Sequence, residues 1–191
     1  MALSSIRLTD GVVTLRPPEP DDIDAVFAAC QDPTIARFTA IPSPYQRAHA
    51  ADWVGSAPRA WRTEAAAPFV IVDAGSDALI GSVGLVEICA DRSSAEVGYW
   101  VLEQARCRGV APAAVRLVAR WVLCDLGFAR LELQADVRNH PSHRVAEKAG
   151  FRREGEVPAP VRFRARLERV VMFALTREEL PADQLAAPAT G

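Results

Sequence analysis

The sequence has few of the residues that mark disulfide frameworks or metal sites. Its 191 residues include four cysteines and three histidines. The cysteines show no C-x-x-C spacing and the histidines no metal-ligand spacing: Cys30, Cys89, Cys107, Cys124, His49, His140 and His143. We therefore expect reduced thiols, a reducing compartment and no bound metal.

Long apolar runs and strong charge of either sign are also missing. No stretch approaches the roughly 18 apolar residues of a membrane span, and Met1–Gly11 lacks the apolar run of a signal peptide. The formal net charge of −2 argues against broad binding to nucleic acid or to anionic membranes. We therefore expect a cytoplasmic protein that binds neither nucleic acid nor membrane.

Two glycine-rich signatures are absent as well. The chain contains neither G-x-x-x-x-G-K-[ST] nor G-x-G-x-x-G. Because these patterns carry the phosphate contacts of P-loop and dinucleotide-binding proteins, a nucleotide-binding function is disfavoured.

What is present indicates an ordinary globular protein. Half of the residues are apolar and 24% are charged, and the length suits one hydrophobic core. We expect a single domain over residues 1–180. The Pro- and Ala-rich segment 181–191 is predicted to be a disordered tail.

The first half of the chain predicts a strand, two helices and then three strands. Val12–Arg16 alternates as a strand, and the next helix has one apolar face formed by Ile23, Val26, Phe27 and Cys30. An irregular segment, a helix opened by a capping box and three strands follow in order: Gln31–Pro44, Pro44–Thr63, Pro68–Val72, Leu79–Cys89 and Ala95–Leu102. The predicted capping box pairs Ser43 with Gln46. Glycines inside the second of these strands indicate close packing or a bulge: Gly81 and Gly84.

The second half predicts a long helix, a strand, a short helix and a final pair of strands. The long helix has Ala111, Val115, Val118 and Val122 on one face and Gly127 as its stop. The remaining elements are a strictly alternating strand, a helix closed by glycine and two strands: Leu131–Val137, Asn139–Gly150, Phe151–Glu154 and Arg169–Leu175. This order predicts an α+β fold, an α/β three-layer arrangement with a mixed, mainly antiparallel sheet and helices on both faces.

The loop between the strand at Ala95–Leu102 and the long helix has features of an anion site. It reads Arg106-Cys107-Arg108-Gly109-Val110-Ala111. A helix N-terminus offers free N–H groups and a partial positive charge, glycine permits close approach, and arginine adds charged donors. A solvated surface turn is the alternative interpretation of the same residues.

Four segments together resemble the GNAT superfamily of N-acetyltransferases, in particular its RimJ/RimL-like branch of ribosomal-protein N-alpha-acetyltransferases. They are Ile80-Gly-Ser-Val-Gly-Leu85, Ala95-Glu-Val-Gly-Tyr-Trp100, Arg106-x-x-Gly109-x-Ala111, and Asn139-x-x-Ser142 continuing to Glu147-Lys-Ala-Gly-Phe151. The resemblance covers roughly Val12 to Leu175. It implies a GNAT-like fold and acetyl-CoA as co-substrate.

The resemblance also implies where coenzyme A binds. Its pyrophosphate would lie on the loop formed by Arg106, Cys107, Arg108, Gly109, Val110 and Ala111. Its pantetheine arm would pair with the strand at Trp100, Val101 and Leu102, where that strand splays from Leu131–Val137. Asn139 resembles a position that contacts the arm, although a helix cap is the alternative from the residues alone.

For catalysis, Glu96 is the candidate base and Ser142 the candidate donor to the leaving thiolate. The reaction needs a deprotonated amine, a polarised carbonyl and a stabilised thiolate, and the backbone N–H near Val101 is a candidate for polarising the carbonyl. A solvent-facing or structurally paired Glu96, and a helix-turn Ser142, are the alternatives. Aromatic residues beside the irregular segment are candidates for the acceptor site, with the core as their alternative: Phe38, Tyr45, Trp53 and Trp61.

The acceptor is an amine, and several classes fit. A protein N-terminal α-amine competes with a small molecule such as an antibiotic or polyamine, and a non-catalytic acyl-CoA-binding module is a further possibility. The sheet edge or C-terminal strands could support a homodimer. Two residues stand where relatives often have glycine, Cys107 in the loop and Ala165 before the last strand, and both could alter local geometry.

Overall fold

The structure is a computed structural model that describes residues 3, 5–159 and 169–181. Eight strands form one sheet in the spatial order β1-β2-β3-β4-β5-β6-β8-β7. The strands are Leu8–Thr9, Val13–Arg16, Ala67–Asp73, Leu79–Ile88, Ala95–Val101, Arg130–Asp136, Arg152–Pro158 and Arg169–Thr176, numbered β1 to β8. The helices α1 to α5 are Ile23–Ala29, Pro33–Phe38, Arg47–Thr63, Val110–Arg120 and His140–Lys148.

The sheet is antiparallel except between β5 and β6. These two parallel strands pair only through Ala95 with Leu131 and Glu96 with Glu132. Beyond that point β5 continues to Val101 beside β4, while β6 continues to Asp136 beside β8. The two central strands therefore diverge toward their carboxyl ends and leave an opening in the middle of the sheet.

Helices cover both faces of the sheet, as predicted. The main core holds alternate residues of the strands, such as Phe69 and Val97, against α4, whose Val115 and Val118 are fully buried. On the opposite face a smaller cluster joins α1 and α3 to Trp100 of β5. This α+β arrangement, with a mixed and mainly antiparallel sheet, confirms the predicted fold class.

The glycines inside β4 allow close approach of neighbouring strands. A Cβ atom on Gly81 would lie 2.6 Å from the carbonyl oxygen of Trp100 in β5. A Cβ on Gly84 would meet the backbone of Ala67 in β3. The predicted close packing is therefore confirmed at both positions, and it draws β4 against the central strand.

Three local predictions were wrong. Residues Gln31–Pro44 are not wholly irregular, because α2 forms within them, capped by Asp32 with Pro33 at its first position. The helix predicted from Pro44 begins at Arg47, since the capping box is made by Gln46 and His49 rather than by Ser43 and Gln46. The sequence pattern also missed β1, which pairs with β2 over two residues.

Two predictions fall on other parts of the chain. Ala165 lies outside the described residues, as does nearly all of the segment 181–191. The structure therefore leaves the predicted tail and the Ala165 substitution as sequence-based expectations.

Candidate active site

The loop before α4 has the backbone of an anion-binding turn. Gly109 has φ +82° and precedes the first helical residue, Val110, while Cys107 has φ +60°. The amide of Ala113 already bonds the Gly109 carbonyl. The N–H groups of Val110 and Ala111 lie in the first turn, where no carbonyl of the helix can accept their hydrogen bonds. They therefore point out of the helix end. The loop can thus present backbone donors and the positive end of α4 to an anion.

Arg106 is held by other parts of the protein. Its Nε donates to the carbonyl oxygen of Val101 at 3.1 Å, and its guanidinium forms an ion pair with Asp32. Although partial burial opposes it, hydrogen bonds from the Thr34 amide and from Arg106 keep the pKa of Asp32 below its usual value. Arg106 therefore braces α2 against the end of β5, whereas Arg108 is exposed.

Of the three strand residues predicted to pair with the pantetheine arm, one directs its backbone groups into the opening. The Leu102 amide donates to Ile80 in β4, and backbone groups alternate in direction along an antiparallel strand. Trp100 and Leu102 therefore direct their N–H and C=O groups toward β4. Val101 directs its N–H and C=O groups into the opening between β5 and β6, where Arg106 Nε donates a hydrogen bond to its carbonyl oxygen. Among the three predicted strand residues, Val101 is the one whose N–H is directed toward an arm lying in the opening.

Glu96 lies where the opening closes. It is the last residue of β5 paired with β6, it is 7% exposed, and Gln134 Nε2 donates to its Oε2 at 3.0 Å. Its side chain lines a recess of about 120 Å³ together with Glu87, Glu132 and Gln134. The carboxylate is thus neither a solvated strand end nor fully enclosed, and a small polar group can reach it.

Ser142 and Asn139 lie together at the start of α5. The Asn139 side chain accepts a hydrogen bond from the Ser142 amide at 3.3 Å, so the helix-cap interpretation of Asn139 is the one the geometry supports. The Ser142 hydroxyl lies 2.8 Å from the hydroxyl of Tyr99 in β5. Burial raises the pKa of Tyr99 to about 12, against the opposing hydrogen bond with Ser142, so its hydroxyl keeps its proton near neutral pH.

Tyr99 was not among the residues selected from the sequence. The signal was available in the alternation of β5, which places Tyr99 on the opposite face from Glu96 and Trp100. Its partner is 43 residues away in the chain. Only the three-dimensional fold brings the two hydroxyls together.

The predicted acceptor-site aromatics fall into separate places. Tyr45 and Trp53 pack with Trp100 in the cluster on the α1 and α3 face. Phe38 ends α2, with the guanidinium of Arg37 5.0 Å from its ring centre. Trp61 was placed wrongly, because it is 2% exposed within the main core and packs against Phe69 and Trp121.

The short helix α2 is linked by charged side chains to residues beside the central strands. Its first end is tied through Asp32 to Arg106, in the loop that follows β5. At its other end Arg37 is close enough to act on Asp136, the last residue of β6. The pKa of Asp136 is lowered, mainly by its hydrogen bond from Arg138 and in part by Arg37.

The described parts of the chain offer neither a cluster of metal ligands nor a membrane-spanning helix. In residues 3, 5–159 and 169–181, no group of three or more His, Cys, Asp or Glu side chains is arranged to hold a metal ion. Across those same segments, no helix combines the length and the apolar character needed to cross a membrane.

Comparison with known proteins agrees with this geometry. A domain profile described as "Acetyltransferase (GNAT) domain" matches residues 13–152. The chain is 39% identical over 88 residues to "Probable N-acetyltransferase YjcK" of Bacillus subtilis, a match that spans 46% of this chain and 49% of that relative. The chain thus covers about half the length of this curated relative.

Solved structures share the complete fold. Mycobacterium smegmatis RimJ, solved with a coenzyme A disulfide, aligns with a TM-score of 0.79 at 24% identity, over 97% of this chain and 91% of that one. A RimL ribosomal L7/L12 alpha-N-protein acetyltransferase, solved with coenzyme A, aligns with a TM-score of 0.79 at 16% identity, over 93% and 100%. At these sequence identities the structural likeness establishes the fold alone. The family is established by the domain profile, which covers most of the chain. The chain therefore belongs to the GNAT acetyltransferase family and is an acyltransferase.

Proposed function

We propose that the protein transfers the acetyl group of acetyl-CoA to a primary amine, with a polypeptide N-terminus as the preferred acceptor. The observation that carries the proposal is the opening between β5 and β6. It has the anion-binding end of α4 beside its wide end and Glu96 at its closed end. Val101 is five positions after Glu96, a span of about 17 Å in an extended strand. An extended pantetheine arm anchored by its phosphates can follow that path.

The two faces of β5 offer different chemistry to the thioester. Glu96 lies on the face of α1 and α3, together with Trp100 and its aromatic neighbours Tyr45 and Trp53. Tyr99 and Ser142 lie on the face of α4 and α5. In the proposed reaction the thioester lies beside Val101, whose N–H polarises the carbonyl, sulfur departs toward Ser142, and the proton of the attacking amine reaches Glu96 through water.

The α-amine preference follows from acidity. A free α-amino group has a pKa of about 7.7–8.0, whereas a lysine side chain has a pKa of about 10.4. A useful fraction of α-amine is therefore neutral near pH 7, and one partly accessible carboxylate suffices to take its proton. The RimL relative, described as an alpha-N-protein acetyltransferase, supports the same acceptor class.

A small cationic amine is the second candidate acceptor. Glu87 and Glu132 also line the recess at Glu96, and Glu132 is paired with Arg130 at 2.8 Å. Carboxylates at this recess would attract a second positive charge on the acceptor. The first assay therefore offers acetyl-CoA with three acceptor sets: peptides with a free N-terminus, the same peptides blocked at the N-terminus but carrying lysine, and polyamines. Release of coenzyme A with the free peptides alone supports the α-amine; release with none of the three contradicts the proposal.

Glu96→Gln is expected to lower kcat by about 100-fold, within the usual range for loss of a positioned base. The amide keeps the shape of the side chain and the contact with Gln134, but it cannot take a proton. We expect the KM for acetyl-CoA to stay unchanged, whereas kcat should fall across the whole pH range. An unchanged rate and pH profile would show that Glu96 is a structural acid; Glu103→Gln, at an exposed position after β5, is the matched control.

A further inference from the structure

The hydroxyl pair of Tyr99 and Ser142 joins the two sides of the opening. Tyr99 belongs to β5, and Ser142 belongs to the first turn of α5, which follows β6. Their oxygens are 2.8 Å apart. The pair therefore bridges the two elements that diverge to form the proposed cleft, on the face opposite Glu96.

Counting hydrogens shows what the pair can offer to a ligand. Two hydroxyls carry two hydrogens, and the bond between them uses one. One hydrogen is left to donate to a third group. If Tyr99 is the internal donor, the remaining hydrogen is the one on Ser142, which is 9% exposed and lies in the first turn of α5. The positive end of that nine-residue helix favours negative charge at the same place.

We propose that Tyr99 is a positioning residue for acetyl transfer: it donates its hydrogen to Ser142 Oγ and so directs the Ser142 hydrogen toward the coenzyme A sulfur. This inference rests on the proposed function and extends it to a residue to which the sequence analysis gave no role. Ser142 contacts the reacting sulfur, and Tyr99 acts through Ser142. Without the hydrogen bond from Tyr99, the Ser142 hydroxyl could rotate, and its hydrogen would point toward the sulfur for only part of the time.

The step balances without transfer of a proton from the pair. The amine nitrogen forms a bond to the acetyl carbon, the carbon–sulfur bond breaks, and sulfur leaves with the electron pair as a thiolate. The proton lost by the amine goes to Glu96 or to water, and the thiolate gains a proton from solvent after release. A thiol has an ordinary pKa of about 8.5, well below the value of about 12 for Tyr99, so the pair stabilises the thiolate by hydrogen bonding and keeps both of its protons.

The inference predicts a lowered pKa for the thiol of bound coenzyme A, and this can be measured without any acceptor. Ultraviolet titration of the thiolate in the complex should give a pKa about one unit below that of free coenzyme A, a tenfold preference for thiolate. Tyr99→Phe should remove most of the part of this shift that the hydroxyl pair contributes, and Ser142→Ala should remove all of that part. Ser76→Ala, in the exposed turn after β3, should retain it and serves as the control. An equal pKa for free and wild-type-bound coenzyme A would overturn the inference, even if the enzyme proved active.

Kinetics provide the second test. With the acceptor found active, Tyr99→Phe should lower kcat by about tenfold and leave the KM for acetyl-CoA unchanged, and the double variant should be no slower than Ser142→Ala alone. Acetyl donors with a more acidic thiol should restore much of the lost rate, because their thiolates need less stabilisation. Additive losses, or a rise in KM alone, would contradict the inference. Equal unfolding midpoints of the variants would show that the loss is not one of folding.

Discussion

Gly109→Glu is expected to weaken acetyl-CoA binding by more than about 100-fold. The glutamate would add a negative charge at the end of α4 where the phosphates are proposed to lie. Two like charges 4 Å apart repel by about 4 kcal/mol at an effective dielectric constant near 20. A side chain disfavours φ +82° by about 1–2 kcal/mol, and this strain weakens binding to the extent that the free loop relaxes and must regain that conformation in the complex. Together these exceed the roughly 2.7 kcal/mol that a 100-fold loss requires.

Gly109→Gln separates the two causes. It has the same shape and the same backbone strain, and a Cβ at Gly109 meets no atom within 4 Å, so neither variant creates a clash. We expect about a tenfold loss for glutamine, and a part of the glutamate loss should be recovered at high salt. Calorimetric titration of each variant with acetyl-CoA provides the measurement. Equal losses for the two variants would remove the charge argument, and tight binding by Gly109→Glu would place the pyrophosphate elsewhere.

The segment from β5 to α4 was predictable because its signals are local. The apolar run at Ala95–Leu102, the Arg–Gly loop and the periodic valines each act over a few residues. The structure confirms the strand as Ala95–Val101 and the helix from Val110. Local rules also place Gly109 in the left-handed conformation that a glycine before a helix can adopt. The phosphate-type loop could thus be located from sequence before any fold was known.

The partners of the site residues were not predictable in the same way. Asp32 and Arg106 are 74 residues apart, and Tyr99 and Ser142 are 43 apart. No periodic pattern links such positions, because the pairing depends on how β5 and β6 diverge. Aromatic residues show the same limit: Trp53 and Trp61 lie on one helix, yet one borders the Trp100 cluster and the other fills the main core.

Asp22→Ala is expected to lower the free energy of unfolding by about 3–5 kcal/mol, the usual cost of leaving one member of a buried ion pair alone. Both Asp22 oxygens accept hydrogen bonds from Arg16, at 2.7 and 2.9 Å, and the two side chains are 6% and 10% exposed. One of those oxygens also accepts the Glu19 amide at 2.7 Å. The substitution would leave a buried guanidinium and an unbonded amide. Urea unfolding measures the loss.

The matched control is an ion pair of the same length on the surface. Asp24 and Arg47 also lie 2.7 Å apart, but their side chains are 78% and 60% exposed. Because water solvates either partner alone, Asp24→Ala should leave the unfolding midpoint nearly unchanged. If Asp22→Ala proved as mild as Asp24→Ala, Arg16 would have to reach water when its partner is lost.

Replacing both members of the buried pair tests what the pair contributes to the fold. Arg16→Met with Asp22→Leu removes both charges together and should recover most of the stability lost in Asp22→Ala. The pair joins the end of β2 to the residue immediately before α1, whose Val26 belongs to the cluster around Trp100. If the pair orients α1, the double variant should fold stably and still show a raised KM for the acceptor. A stable double variant with an unchanged acceptor KM would show instead that apolar packing alone positions α1.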